Sequence, residues 1–345
     1  MGGSRLAEMR PAGILGVGSF VPARVLTNRD LETMVETSHD WIVSRTGIVE
    51  RRIADPEETT SAMACKAAER ALADAGLPAA DLDLVIVATV TGDALFPATA
   101  SIVQDALGAK RAAAFDLAAG CSGFIYGLAT GAQFIRTGLY RNVLVIGAEI
   151  LSRIVNWRDR GTCVLFGDGA GAAVLGPAAE GEGFLSFDLG SDGSGAGLLA
   201  VEAGGWGHPL ATGTEAELRH SIRMSGPDVF KFAIRILEES ALRALEAAGL
   251  TPGDVDCLVA HQANIRIIDV AARRLGLDES RVFNNVHRYG NTSAASIPIA
   301  LDEARREGHL HPGDTVLLVG FGAGLSWGSC VVNWTGSASP VEVAG

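Results

Sequence analysis

Apolar residues along the 345-residue chain gather into short continuous runs separated by helical periodicities. The runs ILGVGSF (14–20), DLVIVATV (83–90), NVLVIGAE (142–149), GAAVLG (171–176), CLVAH (257–261), TVLLVGF (315–321) and SCVVNW (329–334) predict strands buried on both faces. Between them, stretches such as AERALADAGL (68–77) and ALRALEAAGL (241–250) have the spacing of amphipathic helices stopped by Gly76 and Gly249. Strands alternating with helices place the chain in the α/β class.

The pattern also repeats. Residues 68–85 (AERALADAGLPAADLDLV) match residues 241–258 (ALRALEAAGLTPGDVDCL), about half the chain later. Further along, Gly120-Cys121 pairs roughly with Gly290-Asn291, and LVIGAE (144–149) with LLVGFG (317–322). Two matched helix–strand units and two further pairs in the same order favour a duplication. We expect two α/β halves, residues 12–178 and 179–335, joined at the polar, Gly-rich PAAEGEGF. Residues 190–214, rich in Gly and Ser, read as a surface excursion.

Composition narrows the function. Twenty-eight basic against 40 acidic residues give a net charge of −12, which disfavours nucleic acid as a partner. No apolar run reaches the roughly 18–20 residues of a membrane span, and the opening MGGSRLAEMRPAG lacks the apolar core of a secretory signal. The five cysteines, Cys65, Cys121, Cys163, Cys257 and Cys330, are odd in number and widely spaced, which argues against a disulfide framework or zinc site and for a reducing cytoplasm.

Several motif matches are incomplete. Gly16-Val17-Gly18-Ser19-Phe20-Val21 lacks the third glycine of a dinucleotide fingerprint and runs into Pro22, so it reads as a turn between strands. Gly324-Leu325-Ser326-Trp327-Gly328 fits GxSxG, but a strand rather than a helix follows, which predicts a hairpin. Gly167-Asp168-Gly169-Ala170-Gly171 reads as a turn that permits close packing.

Cys121 differs from the other cysteines. It lies between Gly120 and Ser122-Gly123, just before the helical spacing Phe124, Leu128, Ala132, Ile135. A helix start favours the thiolate, and small neighbours admit a substrate carbonyl. The bland reading is a small apolar residue at a crowded junction. His261 ends an apolar strand, where α/β proteins gather ligands; alternatively it is a core histidine bonded to backbone. Asn291 occupies nearly the place of Cys121 in the second copy and doubles as a candidate helix N-cap. Pseudo-twofold packing would bring the three together.

At these residues the chain resembles the thiolase-like condensing enzymes, specifically β-ketoacyl-acyl carrier protein synthase III. The resemblance runs from about residue 12 to 334 through DWIVSRTGI (40–48), GCSGF (120–124), DRGTCVLFGDGAGAAVL (159–175), HQANIRI (261–267), GNTSAAS (290–296) and GFGAGLSWGS (320–329). It implies a five-layered αβαβα fold of two pseudo-duplicated halves and a homodimer. It also implies an acyltransferase that joins a short-chain acyl-CoA to malonyl-acyl carrier protein with loss of CO₂, opening fatty acid synthesis. No cofactor or metal is implied, since acyl-CoA is a substrate. Cys121, His261 and Asn291 would form the catalytic triad, with the backbone N–H groups of Cys121 and Ala323 holding the oxyanion. Trp41, Arg45, Arg160, Gly226, Phe230 and Asn264 would contact coenzyme A, Trp41 and Arg160 clamping the adenine. Phe96 would reach across the dimer to the partner's acyl pocket. Pro227 and Ala323 depart from residues common in the family.

An acidic carrier protein needs a basic entrance. Arg266, Arg273 and Arg274 share one face of a helix starting near Asn264, and Lys231 is a candidate to join them; the bland alternative is a solvated face. The glycine loop 322–326 carries no cysteine, so decarboxylation rather than proton abstraction is the expected carbanion source. Three alternatives remain at this stage: a starter-unit or type III polyketide synthase, a Cys-His-Asn thioester hydrolase, and a non-catalytic module.

Overall fold

The computed structural model describes residues 10–204 and 220–336; the expectations for residues 1–9 and 205–214 fall outside them. Ten strands build two sheets: β1 (Ala12–Phe20), β2 (Leu84–Ala88), β3 (Ala113–Leu117), β4 (Val143–Ile150), β5 (Asp168–Pro177), then β6 (Gly183–Ser191), β7 (Cys257–Ala260), β8 (Val282–Phe283), β9 (Thr315–Gly322) and β10 (Ser326–Asn333). The first sheet has the order β1-β5-β4-β2-β3 and the second β6-β10-β9-β7-β8. Numbered within its own set of five, each sheet reads 1-5-4-2-3. In both, the first two pairings are antiparallel and the last two parallel. The repeat seen in the sequence is thus a repeat of topology.

Helices complete five layers. Helix α1 (Thr60–Ala75) covers the outer face of the first sheet, and α2 (Gly123–Arg136) and α4 (Ser296–Arg306) lie between the sheets. Helix α3 (Gly226–Ala247) and the helix Ile265–Arg274 cover the outer face of the second sheet. The core between the sheets is continuous: Phe124 and Leu128 of α2, Ile297 and Leu301 of α4, and Ile86, Val145, Val259 and Leu318 of the strands are sealed in one cluster. Each such side chain contributes roughly 1.5–3 kcal/mol of hydrophobic burial. The predicted helix stops hold. Thr59 caps α1 by accepting the Ala62 N–H, and Gly76 closes it at φ +61°. Gly249, at φ +71°, follows α3.

Two glycine-rich segments depart from expectation. Gly16 and Gly18 sit within β1, not in a turn, and a Cβ on either would lie 2.4 Å from an α1 backbone nitrogen. Residues 168–171 likewise belong to β5. These glycines let helices lie directly on the sheets. The GxSxG segment is the predicted hairpin, joining antiparallel β9 and β10. In the excursion, 199–201 pairs with 222–224 as a short ribbon.

Candidate active site

Cys121 lies in a 3₁₀ turn, Gly120–Ser122, that runs into α2. Asn291 precedes the matching 3₁₀ turn, Ser293–Ala295, that runs into α4. His261 follows β7, its N–H donating to Val319 O at 2.7 Å. The three side chains, about 140 and 30 residues apart in sequence order, line one cavity of about 150 Å³ together with Gly226, Phe230 and Asn264. On its other side Cys121 opens onto a second, apolar cavity of about 200 Å³, walled by Val90, Leu151, Ile154, Phe166 and Ile222 and reached by Ser293 and Ala323. Cys121 therefore stands where a tunnel carrying His261, Asn264 and Asn291 meets an apolar-walled pocket.

Local hydrogen bonds fix how His261 and Asn291 present themselves. Asn291 Oδ1 accepts the Ser293 N–H at 2.8 Å, so its Nδ2 is left as donor. Asn291 is held from behind as well: its N–H donates to Leu165 O, and its carbonyl accepts from Gly167 N. His261 Nδ1 lies 2.6 Å from Ser296 Oγ, which also accepts the Gln262 N–H at 3.3 Å. With Ser296 donating to Nδ1, the imidazole proton sits on Nε2. Burial pulls His261 down to about 3, so the ring is neutral at physiological pH. Both groups are then neutral N–H donors, suited to charge that develops only during reaction.

The electrostatics of Cys121 correct one expectation. The residue is at the helix start, but burial pushes its thiol up to about 12, with the Ser293 hydroxyl pulling it down and the Glu149 carboxylate pushing it further up. At rest it is a thiol, because withdrawal from water outweighs the N–H groups around it. The other four cysteines are free, and all but half-buried Cys65 are buried, as packing residues would be. The Cys121 and Ala323 amides sit on neighbouring segments. A Cβ on Gly322 would lie 2.5 Å from Cys121 N, and one on Gly120 would lie 3.0 Å from Ala323 N. The chain segments carrying the two amides are therefore in contact.

Of the expected coenzyme contacts, Gly226, Phe230 and Asn264 line the first cavity, and Trp41, Arg45 and Arg160 are not part of its lining. Trp41 and Arg45 sit on the helix His39–Thr46, which Ser38 caps by accepting the Trp41 N–H. Asn264 Oδ1 caps the helix Ile265–Arg274, and its Nδ2 donates to Arg45 O at 3.0 Å. The Arg160 guanidinium lies directly on the Trp41 ring, 4.9 Å from its centroid. At about 3.5 Å per stacked face, a purine between them requires the two to part by roughly 2 Å. Pro227 occupies the first turn of α3, where its missing N–H costs nothing.

Of the basic residues, Lys231, Arg266, Arg273 and Arg274 are all exposed. Arg266 lies over the ring of Phe230, at the tunnel. Arg274 is committed to Glu238 at 2.7 Å, which reduces the free positive charge on that face. Phe96 is not in either cavity; it is 82% exposed on the loop before helix Thr99–Ala106, beside Leu95 at 80%. Three site residues were not singled out from the sequence: Ser293, Ser296 and Glu149, the last buried at the end of β4 and bonded to Ser293 Oγ at 3.0 Å. The serines stood in GNTSAAS, and the signal for Glu149 was an acid closing an otherwise apolar strand. Among the described residues no cluster of His, Cys, Asp and Glu fits a metal ion, and no helix is long and apolar enough to cross a membrane.

Comparison with known proteins agrees with this geometry. Residues 115–193 match the family model of 3-oxoacyl-[acyl-carrier-protein] synthase III, and residues 245–334 match its C-terminal model. The chain is 61% identical to β-ketoacyl-[acyl-carrier-protein] synthase III of Desulfitobacterium hafniense, over 95% of this chain and 99% of that protein. The crystal structure of β-ketoacyl-[acyl carrier protein] synthase III from Thermus thermophilus superposes with a TM-score of 0.88 at 52% identity, covering 94% of this chain and all of that one. The priming β-ketosynthase of the R1128 polyketide pathway superposes at 0.91 with 39% identity, covering 97% and 99%. On this likeness, which spans nearly its whole length, the chain belongs to the 3-oxoacyl-[acyl-carrier-protein] synthase III family.

Proposed function

We propose that this chain transfers a short acyl group from coenzyme A to Cys121 and condenses it with malonyl-acyl carrier protein, releasing CO₂ and opening fatty acid synthesis. The observation that carries this reading is the meeting of Cys121, His261 and Asn291 on one cavity that joins an apolar pocket. Cys121 Sγ attacks the thioester carbon while the Cys121 and Ala323 N–H groups receive the oxyanion. Coenzyme A leaves through the tunnel lined by Gly226, Phe230 and Asn264, and its adenine end meets Trp41, Arg45 and Arg160. The malonyl thioester then loses CO₂, and His261 Nε2–H and Asn291 Nδ2–H hold the enolate oxygen. The resulting carbanion attacks the acyl group on Cys121. No cofactor or metal enters these steps.

The acyl pocket, apolar and about 200 Å³, suits a short primer. The exposed Leu95-Phe96 tip supports a homodimer, since two large apolar side chains side by side in water mark an interaction site. The carrier protein would dock on Lys231, Arg266 and Arg273, with Arg274 contributing less. The division into residues 12–178 and 179–335 then assigns the nucleophile to one half and the donors to the other, and the enzyme would work in the cytoplasm with no nucleic acid or membrane partner. Higher identity to the fatty acid enzymes favours this reading over polyketide priming.

Intact-mass spectrometry tests it. Acetyl-CoA and branched primers should add an acyl mass to the wild type and none to Cys121→Ala. The His261→Ala variant should still acylate but lose decarboxylation of malonyl-acyl carrier protein by about 10²–10³-fold. Equal loss of both steps, or release of free acid without malonate, would overturn the assignment.

A further inference from the structure

A buried carboxylate that the steps above do not use lies one hydroxyl away from the nucleophile. Glu149 is fully buried near the end of β4. Its Oε1 accepts the Ser293 hydroxyl at 3.0 Å. Its Oε2 accepts from Thr89 Oγ1 at 3.3 Å, from Val90 N at 3.2 Å and from Thr91 Oγ1. Among the described residues it forms no ion pair. Ser293 in turn lines the same cavity as Cys121, and its hydroxyl pulls the Cys121 thiol down, as a close polar neighbour does. The order Sγ, Oγ, Oε1 is a path along which a proton can pass.

We propose that Glu149 takes up the Cys121 proton through the Ser293 hydroxyl during acylation. This rests on Cys121 being the acylated nucleophile. As Sγ bonds to the thioester carbon, its proton passes to Ser293 Oγ, and the serine's own proton passes to Glu149 Oε1. When the carbon–sulfur bond to coenzyme A breaks, Glu149 Oε1 returns the proton to Ser293 Oγ, whose own proton passes to the departing sulfur. One S–C bond forms, one breaks, and the proton ends on coenzyme A. Glu149 acts through Ser293 and is a positioning and relay residue, not a group that touches substrate.

The surroundings leave this role open to Glu149. Burial raises its carboxyl to about 7, against the pull of its hydrogen-bond donors, so it accepts a proton near neutral pH. The neighbouring strand β2 carries no titratable side chain. Asp168 of β5 is occupied by the Ala54 N–H and by Ser152. Asp93, in the loop after β2, is bound by Ser61. Arg153 donates outward to the carbonyls of Asp55, Pro56 and Glu58. On α4, Asp302 and Glu303 are taken by Ser19 and Asn285, and Cys65 of α1 faces Glu69 and Asp93 instead. His261 Nδ1 is engaged by Ser296 Oγ.

The test is the pH profile of Cys121, read with two reagents. Iodoacetamide reports thiolate availability without any acyl donor, and single-turnover acylation by acetyl-CoA reports the proposed step. In the wild type both rates should rise with pH up to about 7 and then level off. Glu149→Gln should lose that inflection and acylate at least about tenfold more slowly at pH 7, while Glu149→Asp restores the inflection. Ser293→Gly removes the hydroxyl but keeps the N–H to Asn291, and should behave as Glu149→Gln; it decides the case if Glu149→Gln does not fold. An unchanged inflection in the soluble variants overturns the relay. Failure of wild-type Cys121 to acylate at all overturns the reading of function instead, so the two failures are distinct.

Discussion

His261 and Glu149 are predicted to make the stability of this protein respond to pH in opposite directions. The His261 imidazole is held at about 3, below its ordinary 6.5. Its contribution to stability is therefore complete above pH 6.5 and is lost as pH falls toward 3, because the unfolded chain binds the proton first. The Glu149 carboxyl is raised to about 7 from 4.5. Its contribution is complete below pH 4.5 and is lost as pH rises through 7. Between pH 8 and pH 5, linkage gives a loss of about 2 kcal/mol from His261 and a gain of about 2–3 kcal/mol from Glu149. In the wild type the two nearly cancel, and a titration of stability hides both. Single variants separate them. Urea unfolding followed by tryptophan fluorescence at pH 8 and pH 5, at fixed protein concentration, should show His261→Gln gaining about 2 kcal/mol more than wild type on acidification. Glu149→Gln should fall behind wild type by about 2–3 kcal/mol over the same interval. If both variants track the wild type to within about 0.5 kcal/mol, neither group is held away from its ordinary titration by the fold, and the account of burial given for them is wrong.

Gly322→Ala places a methyl 2.5 Å from Cys121 N and must displace that amide; acylation should slow by about 10²–10³-fold with the far-ultraviolet spectrum kept, and a rate within twofold of wild type would refute the oxyanion assignment. Arg266→Glu combined with Arg273→Glu should raise the KM for malonyl-acyl carrier protein about tenfold at low salt, an effect that fades as ionic strength rises. Arg274→Glu alone should do less, since its charge is already matched by Glu238.

The two α/β halves were legible because they rest on buried apolar runs and on a repeat, and both survive in sequence; the five layers were expected only from the family resemblance. The order Cys121, His261, Asn291 was legible for the same reason: each follows a strand or precedes a helix that the pattern locates. Gly16 and Gly18 were misread because a glycine announces equally a turn and the absence of a Cβ, and only the position of α1 tells which is required. The thiolate was misread because helix-start placement is local, whereas the burial that opposes it comes from both halves of the chain. Ser293 and Ser296 were unreadable as partners because their roles depend on which atoms the opposite sheet brings to them. Glu149, an acid in an apolar strand, carried a signal of burial, but nothing in sequence pointed it toward Ser293.

The duplication explains why this chemistry sits between the halves. Strand β4 of one half and β9 of the other occupy the same place in their sheets, and each ends against the 3₁₀ turn of the opposite half. A Cβ on Gly147 of β4 would lie 2.1 Å from Ala294 O, and one on Gly322 of β9 would lie 2.5 Å from Cys121 N. Each approach demands a glycine at that point of the strand. The matched segments 144–149 and 317–322 align Gly147 with Gly320 and Glu149 with Gly322. At that last pair the symmetry breaks. The second half has glycine, which lets the backbone close on the Cys121 amide; the first has a carboxylate, which reaches the hydroxyl beside Sγ. A perfectly symmetric dimer of half-chains would have to carry the same residue at both places. It would either lose the close approach to the nucleophile's amide or lose the buried acid, so the two requirements are met together only when the halves diverge within one chain.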